Sequence, residues 1–294
     1  MVRPECVIVG SDGTLYTADW RGGVASISPD GQVSLLEAEV GDGGPPLQPN
    51  GIAQQPDGSF LLADLSEARA GVWHLAPNGQ ATPFLRSLDG QPLPPTNFVL
   101  ADAVGRIWVT ISTRTSPRSL DYRPTANSGV IILVEDDNAR IVADGLGYAN
   151  ECRLSPDGHF LYVNETFGRR TTRFRITPSN DLAERTTVAT YGPGTFPDGL
   201  DFDPYGRLWV TSIISNRVFC LDSDGTPQLI LEDTDEGQLA TVEAAFQAGT
   251  MARPHLDTVY SRVLRSVSSI AFYGNRAYLG CLLGDAIATF ELRA

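Results

Sequence analysis

Five oxygen-bearing side chains recur at near-regular intervals: Glu5, Asn50, Asn97, Asn150 and Asp198, separated by 45, 47, 53 and 48 residues. Each one opens an apolar run, so each would stand at the mouth of a buried strand. Carboxylate and amide oxygens are the ligands that hard cations such as Ca²⁺ take, with water filling the remaining positions. Two carboxylates, Glu5 and Asp198, would balance a divalent charge. Taken singly, the Asn of "PNG" (49–51) and the Asp of "PDG" (197–199) also suit turns. Glu5 and Asn97 are followed by Cys and Phe, and turn chemistry does not account for them.

The positioning elements come from an internal repeat. Its copies are "PECVIVGSDGTLYTADWRGG", "PNGIAQQPDGSFLLADLSEA", "TNFVLADAVGRIWVTISTRT", "ANECRLSPDGHFLYVNETFG" and "PDGLDFDPYGRLWVTSIISN". A weaker sixth copy, "VSSIAFYGNRAYLGCLLGDA", is led by Ser268, 70 residues after Asp198. Most copies are followed by two more strand-like pieces. Four short antiparallel strands at a period of 45 to 50 residues predict propeller blades. The expected fold is all-β: a six-bladed β-propeller in a single domain over 1–294, with a lid-like insertion at about 236–262. The turns "SDG", "PDG", "AVG" and "PYG" then lie on one face of the disc. The strand-opening residues lie on the other, around the mouth of the central channel.

Composition narrows the function. With 29 Gly and 20 Pro the chain is turn-dense, and its net charge of −13 speaks against a phosphate-binding surface, so no nucleic-acid partner is expected. No 18-residue apolar stretch exists, so no membrane span is expected. The opening Met-Val-Arg-Pro-Glu lacks the apolar segment of a signal peptide, which predicts a cytoplasmic protein. Cys6, Cys152, Cys220 and Cys281 form no C-x-x-C pair and read as small core residues. Oligomeric state is left open.

The strand-opening residues, with "PDG" in the fifth copy, resemble the gluconolactonase/regucalcin (senescence marker protein) family of six-bladed propellers along almost the whole chain. The resemblance implies one divalent metal on Glu5, Asn97, Asn150 and Asp198. Ca²⁺ comes first, with Mg²⁺, Mn²⁺, Zn²⁺ or Fe²⁺ compatible with the ligand types. It implies hydrolysis of a small-molecule lactone or ester, with Asp198 as both ligand and general base. In sugar-lactone members the third-blade motif reads Arg-x-Asn-Asp; here it is Pro95-Thr96-Asn97-Phe98. A substrate less polar than an aldonolactone is therefore expected, with Phe98 and Asn50 among its contacts. The alternatives are a non-hydrolytic propeller enzyme (lyase, isomerase or condensing type) and a non-catalytic calcium- or small-molecule-binding propeller.

Further candidates lie on loops of the same face. Arg114, Arg118 and Arg123, in "STRTSPRSLDYRPTANSG", offer guanidiniums for a substrate carboxylate. Glu165, in "NETFGRR", would act from beside Asn150. The connection "EGQLATVEAAFQAGTMARPHLDT" places Leu239, Val242 and Phe246 at helical spacing, with Gly249 as C-cap. His255 in this connection is a candidate acid, base or substrate contact, whereas His74 and His159 read as structural. Only four residues precede Glu5, so the sixth blade is expected to have three strands, or a poor fourth, and ring closure to rest on contacts around Glu5.

Overall fold

The computed structural model of the chain describes residues 1–136 and 138–292. Its strands form a six-bladed β-propeller. The first blade comprises Val7–Val9, Leu15–Asp19, Gly23–Ile27 and Val33–Glu37. The second comprises Pro49–Gln54, Phe60–Asp64, Gly71–Leu75 and Ala81–Leu85. The third holds Phe98–Ala101, Ile107–Ile111, Gly129–Glu135 and Asn138–Leu146; the fourth holds Ala149–Leu154, Phe160–Glu165, Arg170–Ile176 and Leu182–Thr190. The fifth is Phe196–Phe202, Leu208–Ile213, Arg217–Leu221 and Pro227–Glu232, and the sixth Val267–Tyr273, Arg276–Cys281 and Ala288–Glu291. Within each blade the strands pair in chain order and antiparallel. The innermost strands of neighbouring blades touch around the ring, the first against the sixth.

Local chemistry explains the hairpins. In the third and fifth blades, "DAVGRIW" and "DPYGRLW" tie the turn to the core. Asp102 accepts from Arg106 Nε (2.6 Å) and Trp108 Nε1 (3.1 Å), and Asp203 from Arg207 Nε (2.6 Å) and Trp209 Nε1 (2.9 Å). Both indoles are buried between blades. The four cysteines are buried and free.

Asn50, Asn150 and Asp198, with the aligned Ser268, sit on irregularities of their inner strands. Register shifts fall at Pro49/Ile52, Ala149/Cys152, Pro197/Leu200 and Val267/Ser269, each bracketing the aligned residue. A bulge re-aims a side chain relative to the pleat, and here it turns Asn50, Asn150 and Asp198 to the axis. Gly51 and Gly199 therefore serve no turn; they allow close approach of neighbouring inner strands. A Cβ on Gly51 would lie 2.7 Å from Phe98 Cα, and one on Gly199 would lie 2.4 Å from the Ser268 carbonyl oxygen.

Closure of the ring gathers at the residues before and at Glu5. Among the described residues the sixth blade has three strands. Arg3 N–H donates to the Gly284 carbonyl (3.1 Å), Cys281 N–H to Pro4 (2.8 Å) and Ser268 Oγ to the Glu5 carbonyl (2.9 Å). Val7 N–H donates to Ser269 Oγ (3.2 Å).

The connection between the last two blades contains α1 (Glu236–Gln247) and α2 (Arg253–Leu256). Asp235 caps α1 by accepting from Gln238 N–H at 2.8 Å, and Gly249 ends it with φ +67°. Leu239, Val242 and Phe246 form its buried face, as their spacing predicts. Phe246 meets Phe196 edge-on at 5.2 Å and stacks on Phe167 at 5.9 Å. Arg169 stands over the rings of Phe196 and Phe246, 4.5 and 4.2 Å from their centroids, and pairs with Glu243 on α1. Glu243 also accepts from Gly194 N–H at 2.8 Å.

Two predictions follow from this architecture. A Cβ on Gly280 would meet the Glu5 carbonyl oxygen at 2.3 Å, so Gly280→Ala should prise the sixth blade from the first. A loss of about 1–3 kcal/mol is expected in denaturant unfolding, and unchanged stability would refute this closure. Partial burial would raise the Glu243 carboxyl, but Arg169, Gln247 and the Gly194 N–H outweigh it and hold it down at about 2. A depressed carboxylate contributes stability above its unfolded value, and that contribution is lost as pH falls. Amide protection factors in α1 should fall between pH of about 4.5 and about 2. In Glu243→Gln they should already be low at neutral pH and lack that step.

Candidate functional site

The inner-strand bulges at Asn50, Asn150 and Asp198, with Glu5 and Asn97 just ahead of their inner strands, bring the five residues to one small cavity of about 40 Å³ at the channel mouth. The wall of the ring anchors each amide nitrogen. Asn150 Nδ2 donates to Thr166 Oγ1 at 3.0 Å, and Asn97 Nδ2 to Ser112 Oγ at 2.7 Å. Asn50 Nδ2 donates to the Asn97 carbonyl (3.1 Å) and to Asn97 Oδ1 (3.2 Å). With the nitrogens engaged, the amide oxygens turn inward. Among the described residues, Glu5 Oε2, Asn50 Oδ1, Asn150 Oδ1 and Asp198 Oδ1 are all buried without a hydrogen-bond partner.

Four orphaned acceptors in one cavity are unusual, because buried polar atoms are nearly always paired. Two carboxylates and a set of amide oxygens suit a hard divalent cation, so the residues present fit such an ion. The donor set is mixed: among the described residues no three of His, Cys, Asp and Glu gather as metal ligands.

The same crowding sets the electrostatics. Burial, then the neighbouring Glu5 and Glu151 carboxylates, pushes Asp198 well above the usual carboxylate range. Burial likewise raises Glu5, against the pull of Arg3, Arg118 and Arg253. Glu151, the residue after Asn150, is raised by burial to about 8 despite Arg153 close by.

Three arginines complete the cavity: Arg3 from the first residues, Arg118 from the third-blade loop and Arg253 from α2. Arg3 is 8% exposed, lies over the Trp20 ring at 4.1 Å, and places Nη2 3.7 Å from Glu5 Oε2. Arg118 Nε donates to the Tyr148 hydroxyl at 2.8 Å. Arg253 pairs with Asp257 at 2.8 Å. Tyr122, Tyr148, Phe167, Ile213, Leu256 and Leu282 supply the apolar lining, Leu256 from the 236–262 connection.

Of the further candidates, Asn50 and Arg118 reach this cavity and five others do not; one of these, Arg123, pairs with Asp121 at 3.2 Å. Phe98 follows Asn97 in an extended strand, so its side chain turns to the opposite side. It is core, with Arg153 over its ring at 5.0 Å. Glu165 is drawn into the fourth blade, accepting from Arg170 Nε (2.8 Å), Arg185 Nη2 (3.0 Å) and Gly147 N–H (2.5 Å). Arg114 turns outward to Asp144 at 2.6 Å. His255 faces a surface groove beside α1, where its Nδ1 meets the Ala252 N–H at 3.1 Å. Arg253, two residues earlier, points to the cavity instead. Arg3, Arg253, Tyr122 and Tyr148 are missing from the sequence-derived set. The readable signal was the "RPE" start, with a guanidinium two residues before Glu5; nothing local marks the tyrosines.

Comparisons with known proteins bear on the fold and the family. Over nearly its whole length (99%) the chain is 24% identical to Protein STRICTOSIDINE SYNTHASE-LIKE 4 of Arabidopsis thaliana, covering 79% of that protein. A gluconolactonase from Xanthomonas campestris superimposes with a TM-score of 0.66 at 21% identity, over 92% of this chain and 80% of that one. The calcium-binding protein regucalcin from Agrobacterium tumefaciens does so with a TM-score of 0.65 at 16% identity, over 95% and 82%. No helix among the described residues is long and apolar enough to cross a membrane. The profile of the SMP-30/Gluconolactonase/LRE-like region matches residues 44–231, well over half of the sequence, and the chain belongs to that family.

Proposed function

We propose that the protein is a divalent-metal-dependent hydrolase that opens a lactone or related ester. The observation that carries this reading is the convergence of four unpartnered buried oxygens on one cavity. Glu5, Asn97, Asn150 and Asp198 would hold the ion, with Asn50 orienting Asn97 through its amide. The all-oxygen set and the calcium-binding regucalcin neighbour favour Ca²⁺. A cation there supplies Lewis acidity toward the substrate carbonyl.

The remaining work falls to this chain's own groups. Asp198 Oδ1, which has no partner, takes the proton from the water whose oxygen attacks the carbonyl carbon. The acyl C–O bond then breaks, and Asp198 returns the proton to the departing alkoxide, leaving a hydroxy acid. As a ligand Asp198 would be held ionised by the cation, and its place beside the attacking water is what general-base catalysis requires. The lining residues exclude bulk water from the reaction.

A second reading is a non-hydrolytic, condensing-type activity without a metal. The strictosidine synthase-like relative supports it, as does the Arg3 guanidinium 3.7 Å from Glu5, an internal countercharge where a cation would otherwise serve.

A lactone and ester panel assayed with and without chelator separates the two. Hydrolysis should be lost on chelation and restored by Ca²⁺, and Asp198→Asn should lower kcat/KM by about 10²–10⁴-fold. Ca²⁺ should also raise the wild-type Tm, by an amount equivalent to about 2.7 kcal/mol at a hundred times its Kd. Asp198→Asn should abolish that rise. Hydrolysis indifferent to both chelator and Asp198→Asn would overturn the metal-dependent reading.

A further inference from the structure

Three guanidiniums line the cavity, and one of them pairs with no carboxylate among the described residues. Arg3, Arg118 and Arg253 line it against only Glu5 and Asp198. Arg3 stands by Glu5 and Arg253 by Asp257, but Arg118 meets only neutral acceptors, the Tyr148 hydroxyl (2.8 Å) and Ser112 Oγ (3.4 Å). Arg118 Nη1 and Arg3 Nε are buried with no partner at all. An uncompensated guanidinium away from water is costly, and it is retained where a partner arrives to pair with it. A cation on Glu5 and Asp198 would neutralise those carboxylates and leave the guanidiniums still less balanced.

Size adds a second observation. About 40 Å³ accommodates an ion and a few waters, whereas pockets for organic ligands run to hundreds of cubic ångströms. A substrate therefore enters only if part of the wall moves. The separable part is the 236–262 connection, which contributes Arg253 and Leu256, while Arg3 and Arg118 belong to the ring and the third-blade loop.

We infer that the site selects a small carboxylate-bearing substrate with an apolar body. Arg3 and Arg118 receive the carboxylate from the ring, and Arg253 closes on it from the lid, so that anion binding and lid closure are one event. The apolar body lies against Tyr122, Tyr148, Phe167 and Leu256. As a statement about substrate class this rests on the hydrolase reading; as a statement about binding it does not.

The test uses the full chain with benzoate and its neutral counterpart benzamide, read by calorimetry and by hydrogen exchange across 236–256. Benzoate should bind and protect the lid amides, and benzamide should do neither. Arg253→Gln should weaken benzoate by about ten-fold or more and remove the lid protection, since a charge-assisted pair is the stronger kind of hydrogen bond. Arg118→Gln should weaken it similarly, and Arg253→Gln, at the partly exposed lid position, carries the test if the Arg118 variant does not fold. Equal affinity for benzoate and benzamide, no binding of either, or benzoate binding unchanged in Arg253→Gln would overturn the inference. Benzoate binding without turnover of any lactone would sink the hydrolase reading and leave this one standing. Turnover of neutral lactones with no preference for anions would do the reverse.

Discussion

Six inner strands meeting at one axis force their leading polar groups into a shared, desolvated space, and the site follows from that constraint. Glu5 and Asp198 face the same cavity, and both are pushed up by burial before any partner charge is considered. Carboxylates so placed need a proton, a cation or a guanidinium. The inner strands can approach this closely only because Gly51 and Gly199 present no Cβ to the neighbouring backbone, and Gly280, on the second strand of the sixth blade, does the same for Glu5. Architecture and site chemistry thus share one cause, and Glu5 takes part in both: its carboxylate faces the cavity and its carbonyl closes the ring through Ser268.

The 236–262 connection bears on the other half of the problem. A ring of polar oxygens open to solvent would be hydrated, and each electrostatic interaction in it weakened. The 236–262 connection covers the ring with an apolar face pinned by Arg169, which pairs with Glu243 and lies over two aromatic rings. The same connection carries Arg253 and Leu256 to the cavity, one charged and one apolar.

Loss of the third-blade Arg-x-Asn-Asp pattern suggested a less polar substrate, with Phe98 in the place of the missing polar contact. Phe98 is instead buried between blades, and guanidiniums reach the site from Arg3, Arg118 and Arg253, none of them part of that motif. A motif reports what one strand presents, and a cavity collects side chains from several. The misplacement of His255 has the same origin: within one turn of α2, residues two apart point in different directions.

The repeat, the six blades, the three strands that the described residues give the last blade, the buried face of α1 and the ring of Glu5, Asn50, Asn97, Asn150 and Asp198 were all legible in the sequence. They are properties of period and register, and a period survives projection onto one dimension. Only the tertiary structure decided which long side chains reach the axis. It turned the amide nitrogens of Asn97 and Asn150 outward to Ser112 and Thr166, sent Glu165 into its own blade, and brought Arg3 and Arg253 together from opposite ends of the chain. The physical reason is reach: an arginine spans several ångströms and is directed by whichever neighbours neutralise it, and those neighbours are set by folding rather than by spacing.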